Sequence, residues 1–333
     1  MREKSPVHRL AAAALVLLAC GCAGLHPSPA PPRDPALPVR ARVEGVPFFP
    51  QREDQCGPAA LAMVLAWSGL SVDPEALRPW VYTESLKGSL QPALTAAARR
   101  SGRVALEIAG REALLQELAA GHPVVVLQNL GLAWMPLWHY AVVTGYDLEQ
   151  DEFLLHSGME ADRRERGDAF RRSWRRAGEW GLLVLPPGRA PKTAGEGAWI
   201  EALAALERAG RAHEALEGYR TVLLRHPQSL PALLGMGNSA YAAGDLALSE
   251  EAFRRAARLD PGSGVAYNNL AHVLLAQGRP GEAIAAARRA VALGGPHLPV
   301  FRRTLEEALA AAPEAAPGEP EGSDKGIDGS PGP

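Results

Sequence analysis

The chain reads as two folded parts: an α+β domain, with an N-terminal helix plus an antiparallel sheet, and an all-α solenoid of short helical repeats. Two patterns predict this. A helical run, CGPAALAMVLAWSGL, precedes three β-rich runs, HPVVVLQNL, HYAVVTGY and DEFLLHSG. From about residue 198 the sequence repeats every 34 residues, the length of a helix, turn, helix unit. At 333 residues there is room for two cores. The balance of 35 basic and 37 acidic residues gives no electrostatic reason to expect nucleic acid as a partner.

In chain order, MREKSPVHRL carries Arg2, Lys4 and Arg9, and an uncharged run then extends from Ala11 to Leu25. That run is short for a bilayer span, which takes roughly 20 apolar residues, so residues 1–22 are expected to be an export signal. Leu18-Ala19-Cys20-Gly21-Cys22 resembles the box of a bacterial lipoprotein signal, with Cys22 as the lipid-bearing residue and Cys20 the alternative. An ordinary secretory signal is the other reading. No Asp directly follows Cys22; by resemblance to Gram-negative sorting this points to an exported, lipid-anchored protein at the outer membrane, facing the periplasm. Residues 23–40 are rich in Pro, which lacks an amide proton, and should form an extended tether.

Residues 41–187 suit one compact domain. Cys56 is the only cysteine beyond Cys22, which excludes a disulfide framework, and it opens the helical run. At a helix N-terminus the unpaired amides and the dipole favour thiolate, the nucleophilic form. The competing reading makes Cys56 a small core residue. A thiolate needs a base, and His139 begins the β-rich run HYAVVTGY. His122, in AGHPVVVL, reads as structural, before a strand. The scattered histidines and one cysteine offer no metal site, and no cofactor motif appears. Ala161 to Trp180 holds seven arginines and two tryptophans, expected as a solvated amphipathic face, with guidance of an acidic substrate or of membrane phosphates the alternative.

Helix first, with cysteine at its tip, then a sheet carrying histidine, is the arrangement of papain-like cysteine peptidases. QCGPAALAMVL together with WHYAVVTGYD resembles the bacteriocin-leader (double-glycine) peptidase family over about residues 43–185. The resemblance implies Cys56 as nucleophile, His139 as general base and Gln51 as oxyanion donor, with Gln55 the alternative donor. Where that family has an orienting Asp, this chain has His156 and Ser157. Ser157 can accept a hydrogen bond from the imidazole, but it brings no charge.

Residues 188–197 form a linker. Beyond it, Trp199, Leu233 and Tyr267 stand 34 residues apart, as do Gly210, Gly244 and Gly278, and Tyr219, Phe253 and Ala287. Residues 198–312 resemble tetratricopeptide repeats, closed by a helix from Leu298 to Ala311. Such arrays commonly bind proteins or peptides; a rigid spacer is the other reading. Asn238, Asn268 and Asn269 are candidates to hold a peptide backbone. Residues 313–333, rich in Pro, Gly and acid, are expected to be disordered.

The sequence thus predicts a peptidase that cleaves peptide bonds through a Cys–His thiol site, without cofactor or metal. Its expected partners are a peptide or protein substrate, a protein on the repeats, and a membrane reached through the lipid anchor, but no nucleic acid. The alternative is a catalytically weak peptidase fold acting as a scaffold through its repeats; an acyl or peptidyl transferase would use the same residues.

Overall fold

The computed structural model describes residues 35–51 and 55–312. The signal with Cys20 and Cys22, the start of the Pro-rich stretch and the acidic tail lie outside the described residues. The chain divides into two compact units, Met1–Arg225 and His226–Pro333.

The first unit is built on a seven-stranded sheet, ordered β4-β9-β5-β6-β7-β8, with β1 also paired to β6. The strands are β1 (Arg40–Arg42), β4 (Val104–Ala109), β5 (Val124–Asn129), β6 (Trp138–Asp147), β7 (Glu152–Ser157), β8 (Glu160–Arg166) and β9 (Trp180–Leu185). Every pairing is antiparallel. β5, β6 and β9 are apolar at successive positions because helices cover both faces of the sheet. The register of β6 on β7 shifts between Val143 and Gly145, where β1 crosses. A Cβ on Gly145 would stand 2.5 Å from the Ala41 carbonyl oxygen, so this close approach demands glycine.

Helix α1 (Cys56–Trp67) packs on one face of the sheet beneath α2 (Pro74–Val81) and α3 (Gln91–Arg100). α1 is buried on every side from Gly57 to Leu65. Its neighbours explain this: Leu77 and Val81 of α2 and Leu94, Ala97 and Ala98 of α3 share one cluster with Val125, Tyr140, Val142 and Leu182 of the sheet. A short hairpin, β2 (Tyr82–Thr83) with β3 (Gly88–Ser89), links α2 to α3.

Helices α4 (Arg111–Ala119) and α5 (Gly167–Arg175) complete the domain. The arginine-rich stretch is only partly the solvated face expected, since it forms β8 and α5, and α5 buries Phe170 and Trp174. Phe153 of β7 meets Phe170 at 4.3 Å between ring centroids. Arg171 grips Asp151 in a two-pronged pair at 2.6 and 2.9 Å, which holds the Asp151 carboxyl below its usual range.

Residues just before 41 already belong to the fold: Leu37 is buried, the Tyr146 hydroxyl donates to the Pro38 carbonyl, and Arg40 pairs with Asp147. The 188–197 segment is likewise fastened. Glu117 of α4, fully buried, accepts the amides of Lys192 and Thr193, the Thr193 hydroxyl and the His122 ring at 2.6 Å. Burial alone would raise its carboxyl pKa, but these hydrogen bonds outweigh burial and hold it below the usual range. His122 is therefore a buried structural partner, as its position before a strand suggested.

The first helix pair, α6 (Glu196–Arg208) and α7 (Ala212–Arg225), belongs to this unit. Trp199 is buried, and Arg211 donates to the Arg100 carbonyl at the end of α3. The second unit holds α8 (Leu230–Ala242), α9 (Leu246–Leu259), α10 (Gly264–Ala276), α11 (Pro280–Leu293) and α12 (Leu298–Ala311). Ser229, Asp245 and Ser263 cap α8, α9 and α10 by accepting the amide three residues on. Gly210, Gly244 and Gly278 all have positive φ, between 73° and 82°, so the repeating glycine marks the left-handed residue that ends each first helix.

Candidate thiol site

Three segments converge around the start of α1. Cys56 is its first residue, partly buried and packed against the α1 cluster. Tyr140, the third residue of β6, lies in the same cluster. Burial raises the Tyr140 phenol pKa far above its ordinary value, and the electrostatic interaction with the nearby Cys56 adds to the shift. The Tyr140 hydroxyl donates to the Ser89 carbonyl at 3.1 Å. Ser89 lies close enough to Gly57 that a Cβ there would collide with its side chain. The glycine after Cys56 is thus what lets the β2–β3 hairpin close over the helix tip.

His139 precedes Tyr140 on β6 and pairs across the sheet with Gln128 of β5. Its Nε2 lies 2.9 Å from the hydroxyl of Ser157 at the end of β7. Burial pushes the imidazole pKa below its ordinary value, and the Arg163 guanidinium adds to the shift, so a neutral imidazole prevails at neutral pH. The buried Gln128 carboxamide donates to Ser173 of α5 at 2.8 Å.

Gln51 joins the two histidine-bearing strands. Its side-chain Nε2 donates to the Tyr140 carbonyl at 3.1 Å and its Oε1 accepts the Gly158 amide at 2.7 Å. These partners directly follow His139 and Ser157. The Gln51 amide also donates to the Gly158 carbonyl at 2.8 Å, and the residue is buried. Gln55 points elsewhere, donating to Glu75 of α2 at 2.8 Å. His156 is occupied at both nitrogens: Nε2 lies 3.0 Å from the Val46 carbonyl and Nδ1 accepts the Asp162 amide at 3.1 Å. That fixes the tautomer with the proton on Nε2 and makes His156 a strap between the 46–51 segment and β8.

The structure therefore brings His139 to Ser157, Cys56 to Tyr140, and Gln51 to the backbone between them. Sequence reasoning missed Tyr140, Ser89 and Gln128. Among the described residues no group of three or more His, Cys, Asp or Glu side chains is placed to hold a metal ion.

In the second unit, Asn269 donates to Asn238 at 3.1 Å. Both line a cavity of about 280 Å³ with Tyr241, Phe253, His272 and Val273. Asn268 is buried and donates to Asn269 at 3.3 Å.

Residues 43–181 match the Peptidase_C39 like family, and residues 201–264 and 234–297 match the tetratricopeptide repeat. The chain carries a C39-like peptidase domain followed by tetratricopeptide repeats. Similar solved structures include a C39-like peptidase from Bacillus anthracis, 20% identical, covering 44% of this chain and 97% of that one at a TM-score of 0.38. A double glycine motif protease from an AMS/PCAT transporter, in complex with the leader peptide, is 23% identical and covers 43% of this chain and 93% of its own at 0.35. The first tetratricopeptide domain of Spaghetti (RPAP3), bound to an HSP90 peptide, is 18% identical over 34% of this chain and 93% of that one at 0.32. No curated protein matches the chain.

Proposed function

We propose that the first unit is a cysteine peptidase that cleaves peptide bonds through a Cys56 thioester, and that the repeats bind a protein or peptide. The observation that carries the reading is the His139–Ser157 contact at 2.9 Å, in a C39-like domain whose lone cysteine opens α1. Cys56 attacks the substrate carbonyl, helped by the amides and dipole at the helix tip. His139, neutral at physiological pH, takes the thiol proton and returns it to the leaving amine. Ser157 orients the ring without stabilising its charge. Gln51 has one side-chain N–H committed to Tyr140; the other, with the Cys56 amide, is the candidate donor to the oxyanion. On this reading no cofactor is required. The cavity at Asn238 and Asn269 is the candidate peptide contact on the repeats.

Lipid anchoring through Cys22, or Cys20, at the outer membrane belongs to the same proposal; acid-stable palmitate label retained on the wild type but absent from Cys22→Ser tests it. For catalysis the test is cleavage of a peptide library by the wild type and by Cys56→Ala. Products that appear only with Cys56 support the enzyme. No cleavage by either chain favours the scaffold, a reading prompted by the uncharged Ser157. Products joined to an added amine would indicate transfer.

A further inference from the structure

The β5–β6 loop is an exposed apolar tip. From Leu130 to Trp138 the chain reads LGLAWMPLW, without a charge. Its six large apolar side chains, on Leu130, Leu132, Trp134, Met135, Leu137 and Trp138, are exposed to between 46% at Leu130 and 78% at Trp134. Contiguous apolar exposure of this kind marks an interaction surface.

The loop is also internally fastened. The Leu130 amide donates to the Leu137 carbonyl at 2.8 Å, and Leu132 and Met135 exchange hydrogen bonds at 3.0 and 3.2 Å. The Asn129 side-chain oxygen accepts the amides of Gly131 and Leu137, each at 3.0 Å. Pro136 has no amide proton. At the base, Arg176 donates to the Asn129 carbonyl at 3.2 and 2.9 Å.

This combination selects among occupants. A wall for an extended peptide would offer free backbone groups to the incoming strand, whereas here the amides of Leu130, Gly131, Leu132, Met135 and Leu137 are spent within the loop or on Asn129. A lipid surface asks for the reverse: backbone polar groups satisfied internally, apolar side chains outward, and indoles at the level of the headgroups. We propose that the Leu130–Trp138 loop inserts shallowly into a lipid surface and holds the mouth of the thiol site against it. Among the described residues no helix is long and apolar enough to cross a membrane, so contact is interfacial. Because Trp138 leads directly into His139 on β6, the loop would present membrane-associated polypeptide to the site. The membrane contact itself does not depend on catalysis and stands if Cys56 is inert.

The experiment uses the full chain with phosphatidylcholine–phosphatidylglycerol vesicles carrying brominated acyl chains, which quench indoles that enter the bilayer. Trp134→Phe/Trp138→Phe removes both reporters while keeping the loop apolar. Quenching in the wild type that is largely lost in the double variant, with sedimentation on vesicles unchanged, is expected. Absence of quenching, or equal quenching in both chains, overturns the proposal, including the case where the N-terminal segment alone holds the chain to the vesicles. A loop that leaves lipid untouched yet shifts its indole emission on adding a soluble apolar peptide overturns it in favour of a peptide-binding wall.

Discussion

His139 Nε2 lies 2.9 Å from the Ser157 hydroxyl, an uncharged contact on a ring whose pKa burial and Arg163 hold below the ordinary value. Ser157→Asp places a carboxylate at that contact and should raise the imidazole pKa, since an adjacent negative charge favours the protonated ring. An NMR titration of His139 reads it. Ser157→Ala should lower kcat by about tenfold, the worth of roughly one net hydrogen bond, as measured by peptide cleavage.

The same depressed pKa makes stability depend on acid. The unfolded chain protonates His139 near the ordinary imidazole value, about 6.5, while the folded chain resists protonation to lower pH. The unfolded state therefore binds more protons in that window, and stability falls as pH drops through about 6.5. Urea midpoints at pH 7 and pH 5 should differ less in His139→Ala than in the wild type.

Gln51 spans the Tyr140 carbonyl and the Gly158 amide. Gln51→Ala leaves both without that partner and should destabilise the domain by about 1–3 kcal/mol, visible in urea unfolding. Gln51→Glu keeps the acceptor for Gly158 but loses the donor to Tyr140, so it should recover only part of the loss.

Glu117 ties His122 to the backbone of Lys192 and Thr193. Because its carboxyl pKa is lowered in the folded state, its contribution is present above the unfolded value, about 4.3, and is lost as pH falls through the folded one. Glu117→Gln should cost about 3 kcal/mol near neutral pH and make amides 192–193 exchange faster with deuterium.

Gly57→Ala drives a Cβ into the Ser89 side chain. It should lower the melting temperature, and adding Ser89→Gly should restore part of the loss, a coupling a double-mutant cycle measures.

Much of this was legible in the sequence because it was periodic or local. The 34-residue columns located the repeat glycines, and the β-rich run starting at His139 located β6. The burial of α1 on all sides was not, since the covering residues Leu77, Val81 and Leu94 come from separate segments whose placement no local pattern specifies. The arginine-rich stretch misled for a related reason: its charges are visible in sequence, while the stacking of Phe170 on Phe153 depends on β7. Gln51 was picked out by resemblance, yet its grip on Tyr140 and Gly158 emerges only when β6 and β7 are brought together.

The most direct test of the thiol reading follows alkylation of Cys56 by iodoacetamide against pH, in the full chain carrying Cys20→Ser and Cys22→Ser, with and without His139→Ala. A thiol activated by the helix tip gives an apparent pKa well below the reference of about 8.5, and with His139 as its general base it alkylates more slowly near neutral pH once His139 is removed. An ordinary or raised pKa, with a rate indifferent to His139, would contradict it and leave Cys56 as a packing residue.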